Sequence, residues 1–168
     1  MDVLKELNEV SAYIENHITE NIEKSKLIIR NATTQDANRI CKICCDDLGY
    51  NCTVDLVEKR LLELDLAREQ VFVAEYNSTV IGYVHAERYK TLYFEELVNL
   101  LGLAVAKDYR RQGVASELMN QVEHWAKDNG IKMIRLNSGS SRKEAHEFYR
   151  KLGFDNEKEQ IRFMKSLK

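Results

Sequence analysis

The chain has no proline anywhere in its 168 residues and only seven glycines. Breaks between its elements therefore have to be read from single glycines and polar turns. Long hydrophobic runs are missing too. With 44% hydrophobic and 31% charged residues, the composition is that of an ordinary globular domain, and neither disorder nor a membrane span is expected. Neither sign of charge dominates: 25 basic against 27 acidic residues leave a formal charge of −2, which argues against a general nucleic-acid partner. No internal repeat or low-complexity tract is present. Neither G-x-G-x-x-G nor G-x-x-x-x-G-K-[ST] occurs, so dinucleotide folds and phosphate-loop NTPases lack their sequence support. The opening residues do not run from charged to apolar to small, and no secretory signal is expected.

Cysteine is scarce but concentrated, at Cys41, Cys44, Cys45 and Cys52. No second C-x-x-C and no histidine pair completes a zinc pattern, so no metal is expected. Three of these cysteines fall in a helical pattern with Ile40 and Ile43, where a free thiol behaves as a small apolar side chain. A reducing, cytoplasmic compartment is the simplest reading.

One domain of this length buries a sizeable core. Apolar residues at Val3, Leu7, Val10, Ile14, Ile18 and Ile22 make residues 1–25 an amphipathic helical extension, packed either on its own domain or in a homodimer or other partner contact. Residues 26–168 form the main domain. Residues 26–31 read as a strand, Thr34 and Asp36 open a helix to about residue 46, and Leu48, Gly49 and Tyr50 break it. A second helix spans about 54–67, with Leu56, Leu61, Leu62 and Leu64 on its apolar side. Strands at 70–75 and 79–88 flank an Asn77-Ser78 turn, with Val80, Gly82, Val84 and Ala86 on one face of the second and Ile81, Tyr83, His85 and Glu87 on the other. A strand at 97–105 follows. A helix from Gly113 then leads to a strand at 132–137, which favours parallel pairing through a crossover. Ser141 and Glu144 have the spacing of a capping box opening a helix to Leu152, with Gly153 as its stop, and residues 160–164 read as a last strand. The outcome is a mixed α/β sheet of about six or seven strands with helices on both faces.

The chemistry concentrates in residues 97–129, where an apolar strand passes through a short basic turn into a helix. Such a junction gathers free backbone N–H groups and the positive helix end, a site for an anion and best for phosphate. Arg110 and Arg111 add charge, and Gly113 lets a ligand approach the main chain of Gln112, Gly113, Val114, Ala115 and Ser116. A plain solvated turn with two surface arginines would read the same from these residues alone.

The pattern R-x-x-G-x-A at this junction resembles the acetyl-coenzyme A signature of the GNAT superfamily of N-acetyltransferases. The run L-I-I-R-N-A-T-T-Q-D-A resembles the usual opening of such domains, and A-H-E-F-Y-R-K-L-G-F at 145–154 resembles their last block. The resemblance covers about residues 27–165 and implies a GNAT-like fold with acetyl-CoA as acetyl donor. It implies that Leu103 and Val105 bond the pantetheine arm through their main chains and that an N–H near Ala104 polarises the thioester. It also implies that Tyr149 protonates the leaving thiolate and that Tyr50 and Asn51 flank the acceptor. Many relatives carry Asn seven residues before the tyrosine; Arg142 stands there, leaving Asn137 or Ser138 for that coenzyme contact.

The base is less marked. Glu95, Glu96, His85 and Glu87 lie on or beside the central strands; Glu95 is taken as the base and His85 as substrate-binding, with His146 structural. The reading is direct transfer of an acetyl group to a primary amine of a small molecule or peptide, without metal, membrane or nucleic acid. Glu75, Glu87, Glu95 and Glu96 would suit a cationic acceptor, such as an aminoglycoside-like amino sugar, a polyamine or a peptide N-terminus. A non-catalytic acyl-CoA sensor and an adaptor domain that has lost the ligand are the alternatives.

Overall fold

A computed structural model describes residues 22–167; the expected helix at 3–22 lies almost wholly outside them. The described chain forms two compact units that part after Leu136. No helix among the described residues is long and apolar enough to cross a membrane.

The first unit is built on β1 (Leu27–Asn31), β2 (Glu69–Tyr76), β3 (Thr79–Tyr89), β4 (Leu97–Val105) and β5 (Ile134–Leu136), with helices α1 (Ala37–Leu48), α2 (Val54–Leu62) and α3 (Val114–Asp128). The strands lie in chain order, antiparallel from β1 to β4, with β5 parallel to β4 beyond the α3 crossover. Asn77 and Ser78 both have positive φ (48° and 59°), the geometry of a tight hairpin turn whose twist matches that of its strands.

Helices cover both faces. On one, the rung Val73, Tyr83 and Ala104 packs against Ile40 and Ile43 of α1. On the other lies Gly82, where an added Cβ would stand 3.4 Å from Leu118 of α3 and 3.0 Å from the Ala104 carbonyl oxygen. The simple alternation expected for β3 is broken at Ile81, since Ala74 pairs with Gly82 and Glu75 with Val80. That extra residue resets the side-chain phase, so Val80 joins Tyr83 in one cluster. Both faces of β3 are buried, with Ile81, Val84 and Ala86 fully enclosed.

Other departures have local causes. Helix α2 ends at Leu62 rather than near 67 because Asp65 takes over the chain: its side chain accepts from the Ala67 N–H and its carbonyl from Arg68 and Glu69. Only Val57 and Leu61 of that helix pack on the core, and Leu56 and Leu62 are exposed. In the second unit, α4 (Lys143–Lys151) starts after Arg142 without a side-chain cap. Ser141 is consumed by the turn before it, where Arg142 N–H bonds Gly139 O and Lys143 N–H bonds Ser141 O. Residues 160–164 form no strand, and Ile161 and Phe163 are exposed. The described residues thus hold five strands, not six or seven.

The link from β1 to α1 is an ionic knot. The buried Asp36 carboxylate accepts two bonds of 2.8 Å from the Arg30 guanidinium and one of 2.8 Å from the Thr33 N–H, and Arg30 also grips Glu75 on β2. Burial alone would raise the Asp36 carboxyl, but Arg30 and Thr33 outweigh it and hold it below the ordinary carboxylate value. A depressed carboxylate stabilises the fold above its unfolded pKa of about 3.9 and loses that contribution as pH falls through the folded value. Asp36→Asn is therefore expected to cost about 2 kcal/mol at pH 7, a drop of about 6 °C in Tm. The gap from wild type should narrow below about pH 4 in thermal melts followed by circular dichroism.

Candidate active site

The parallel ladder between β4 and β5 is three rungs long and stops at Leu100 opposite Leu136. Immediately afterwards Leu101 bulges, because His85 pairs with Gly102 while Ala86 pairs with Leu100. The Ala106 N–H bonds Ile81 O at 2.8 Å, which fixes the phase of the rest of the strand. Ala104 faces β3, and the main-chain groups of Leu103 and Val105 face away from it. No strand among the described residues pairs with that outward edge. The Val105 carbonyl accepts the Arg110 Nε–H at 3.0 Å, which leaves the Leu103 N–H and C=O and the Val105 N–H for a ligand. The main chain of Ala104 itself turns the other way, into the ladder with Tyr83, so the outward groups near Ala104 are those of Leu103 and Val105.

The strand leads through a 3₁₀ turn (Lys107–Tyr109) to the basic turn. Arg111 and Gly113 both have positive φ (62° and 86°), a sparse conformation for an arginine and one that concentrates at functional sites. The Glu117 N–H is the first to bond back, to Gly113 O. The N–H groups of Val114, Ala115 and Ser116 precede it, and the N-cap glycine has no side chain to cap them. An anion at this point would meet those donors and the positive end of α3.

Two residues expected to face the ligand are instead structural in part. Arg110 ties the turn to α1 through Asp47 at 2.7 Å as well as to Val105. Gln112 accepts the Ile22 N–H at 2.7 Å and donates to Asp108 O. The segment fastened by Gln112 brings Lys24 to the turn, its Cε 3.9 Å from where a Gly113 Cβ would stand. No motif marks Lys24, since only tertiary folding places it there.

On β3, His85 Nε2 lies 2.8 Å from Glu69 Oε2 on β2, on the rung that continues to Gly102. This carboxylate–imidazole pair, invisible without the strand register, borders the bulge. Other acidic candidates are already committed: Glu75 to Arg30, Glu87 to Arg68 and Asn99, and Glu96 to Arg88 and Lys90. Glu95 is exposed in the turn before β4. Tyr50 and Asn51 are exposed in the loop after α1. A shallow cleft of about 640 Å³ is lined by Asp65, Ala67, Arg68, Arg88, Tyr89 and Lys90, at the end of β3 remote from Gly82 and the open edge.

In the second unit, Tyr149 sits on α4 between Phe148 and Phe154, with ring centroids 5.3 and 5.7 Å away. Burial pushes its phenol up, Arg142 opposing weakly, so it carries its proton at neutral pH. His146 bonds the Gly139 carbonyl oxygen at 3.0 Å and holds the turn ahead of the helix. Asn137 is exposed and Ser138 half-buried.

Comparison with known proteins completes this picture. The chain is 31% identical over 93 residues to an uncharacterised N-acetyltransferase of Methanocaldococcus jannaschii, a match covering 54% of this chain and 41% of that protein. It is 26% identical over 144 residues to the aminoalkylphosphonate N-acetyltransferase of Salmonella typhimurium, covering 83% and 90% of the two chains. AAC(6')-Iy, solved with the bisubstrate analogue CoA-S-monomethyl-acetylneamine, superposes with a TM-score of 0.72 at 18% identity, over 84% of this chain and 99% of that one, and so shares its fold. The profile of the acetyltransferase (GNAT) family matches residues 37–154, and the chain, an acyltransferase with the mixed five-stranded sheet described above, belongs to that family.

Proposed function

We propose that the protein transfers an acetyl group from acetyl-CoA to a primary amine of a small molecule or peptide, by direct attack within a ternary complex. The observation that carries this reading is the continuity of the open β4 edge with an uncapped helix start. An extended amide-bearing arm fits beside Leu103 and Val105, and a pyrophosphate fits the N–H groups of Val114, Ala115 and Ser116, with Arg111 and Lys24 adding charge. The Leu103 or Val105 N–H, rather than that of Ala104, is then the donor for the thioester oxygen, an interaction worth about 3 kcal/mol when charge develops there.

The amine nitrogen attacks the thioester carbon, the C–S bond breaks, and one proton moves from nitrogen while another reaches sulfur. His85, oriented by Glu69, is better built than the exposed Glu95 to accept the first. For the second, the family resemblance points to Tyr149, which carries its proton at neutral pH. Internal pairing of Glu75, Glu87 and Glu96 removes most of the charge argument for a polycationic acceptor. The name of the Salmonella relative adds an aminoalkylphosphonate to the classes worth assaying, beside amino sugars, polyamines and peptide N-termini.

Calorimetric titration with acetyl-CoA is expected to give micromolar binding that Gly113→Glu abolishes. In free protein the site has room, and the positive φ costs about 1–2 kcal/mol, so the variant stays folded by circular dichroism. Absence of binding by the wild type would overturn the reading. In a thiol-release assay over the amine panel, Tyr149→Phe and His85→Gln should each retain acetyl-CoA binding and lower kcat about 100-fold. Binding without turnover of any amine by the wild type would point to a sensor.

A further inference from the structure

Helix α1 places Cys41 and Cys45 four residues apart, one turn above the other on the same side. Its C-cap, Gly49, adopts the left-handed conformation (φ 74°) and turns the chain back, so that Cys52 returns alongside them. The Cys52 Sγ lies 3.6 Å from the Cys41 Sγ and 3.7 Å from the Cys45 Sγ, and all three sulfurs fall within 4.8 Å of one another. A tetrahedral ion with metal–sulfur bonds of about 2.3 Å holds its sulfurs about 3.8 Å apart, so two edges of the triangle already have the length such an ion needs. Cys41 is buried while Cys45 and Cys52 are half-buried, which gives both a shielded floor and a way in.

The ligand spacing is therefore residues 41, 45 and 52, not the C-x-x-C of 41 and 44. Cys44 points elsewhere, its Sγ 3.1 Å from the Tyr83 hydroxyl. A disulfide would use two of the clustered thiols and strand the third, whereas one soft cation uses all of them.

We propose that Cys41, Cys45 and Cys52 together bind one thiophilic divalent cation, with Zn²⁺ the best fit and water in the fourth position. Zn²⁺ accepts thiolate ligands and a tetrahedral shape without redox chemistry. Binding displaces the thiol protons and fastens the loop that bears Tyr50 and Asn51 to α1. This site does not depend on the acetyl-transfer reading.

The test uses the full chain, reduced, stripped with a chelator and titrated anaerobically with Co²⁺, then with Zn²⁺. One equivalent of Co²⁺ should bind with a sulfur-to-metal charge-transfer band in the near ultraviolet, and Zn²⁺ should displace it with an apparent Kd of about 1 μM or tighter. Cys52→Ser and Cys45→Ser should weaken binding at least about 100-fold, and Cys44→Ser should leave it unchanged. If Cys52→Ser is unfolded by circular dichroism, alkylation of the wild type decides. Zn²⁺ should then slow alkylation of the half-buried Cys45 and Cys52 by iodoacetamide in the folded protein and leave the rate at Cys44 unchanged. No charge-transfer band in the reduced wild type, equal losses in Cys44→Ser and Cys52→Ser, or no shielding would each overturn the proposal.

Discussion

The structure depends on a strand pair that ends early. β4 and β5 share only the rungs from Val98 to Leu100, and the bulge at Leu101 follows at once. A backbone edge left unpaired inside a protein is costly, because each buried N–H or C=O without a partner forfeits about 1–3 kcal/mol. In the proposed reading the coenzyme's extended arm is what pairs with such an edge. The outward groups of Leu103 and Val105 are that edge, and the helix start at Gly113 continues it into a set of free donors.

The elements around this edge are fixed so that it need not be. Arg110 spans from Val105 to Asp47 and so joins the end of β4 to the end of α1. Tyr83 lies across Gly102, where an added Cβ would stand 3.4 Å from its hydroxyl, and that hydroxyl meets Cys44. Burial and the Cys44 contact push the Tyr83 phenol well above its ordinary value, so it stays a neutral member of the core. The same helix thus presents Cys44 to the sheet beneath the bulge and Cys41 and Cys45 to the loop on its other side. Rigid supports around a free edge are what preorganised binding requires, since a ligand then meets few ordering costs.

Much of this was legible in the residues. The strand ending at Val105, the turn residue Gly113 and the helix after it stand in the structure as the apolar pattern and the single glycine suggested, because local signals there agree with the tertiary fold. Side-chain phase was not legible. Bulges at Ile81 and Leu101 shift it by one residue, and a bulge follows from packing across strands rather than from any local preference. Hence Val80 stands on the face opposite to the one simple alternation gives it, and the main chain of Ala104 points into the β3 ladder rather than to the open edge. Charges misled for a related reason: Arg110, Glu75 and Glu87 all look available in the sequence, and each has a partner far away in it, while Glu96 is taken by Arg88 across the approach to β4. Cys52 and Lys24 carry no motif, since their neighbours are set by chain reversals. The strand expected at residues 160–164 pairs with no edge among the described residues, and an isolated strand does not form alone.

Residue-resolved amide hydrogen exchange, with and without acetyl-CoA, reads the open edge directly. The amides of Leu103, Val105, Val114, Ala115 and Ser116 should gain protection on adding the coenzyme, while that of Ala104, already bonded into the β3 ladder, should not change. Protection confined to other segments, such as the cleft around Arg88, or a change at Ala104 without one at Leu103 and Val105, would contradict the account.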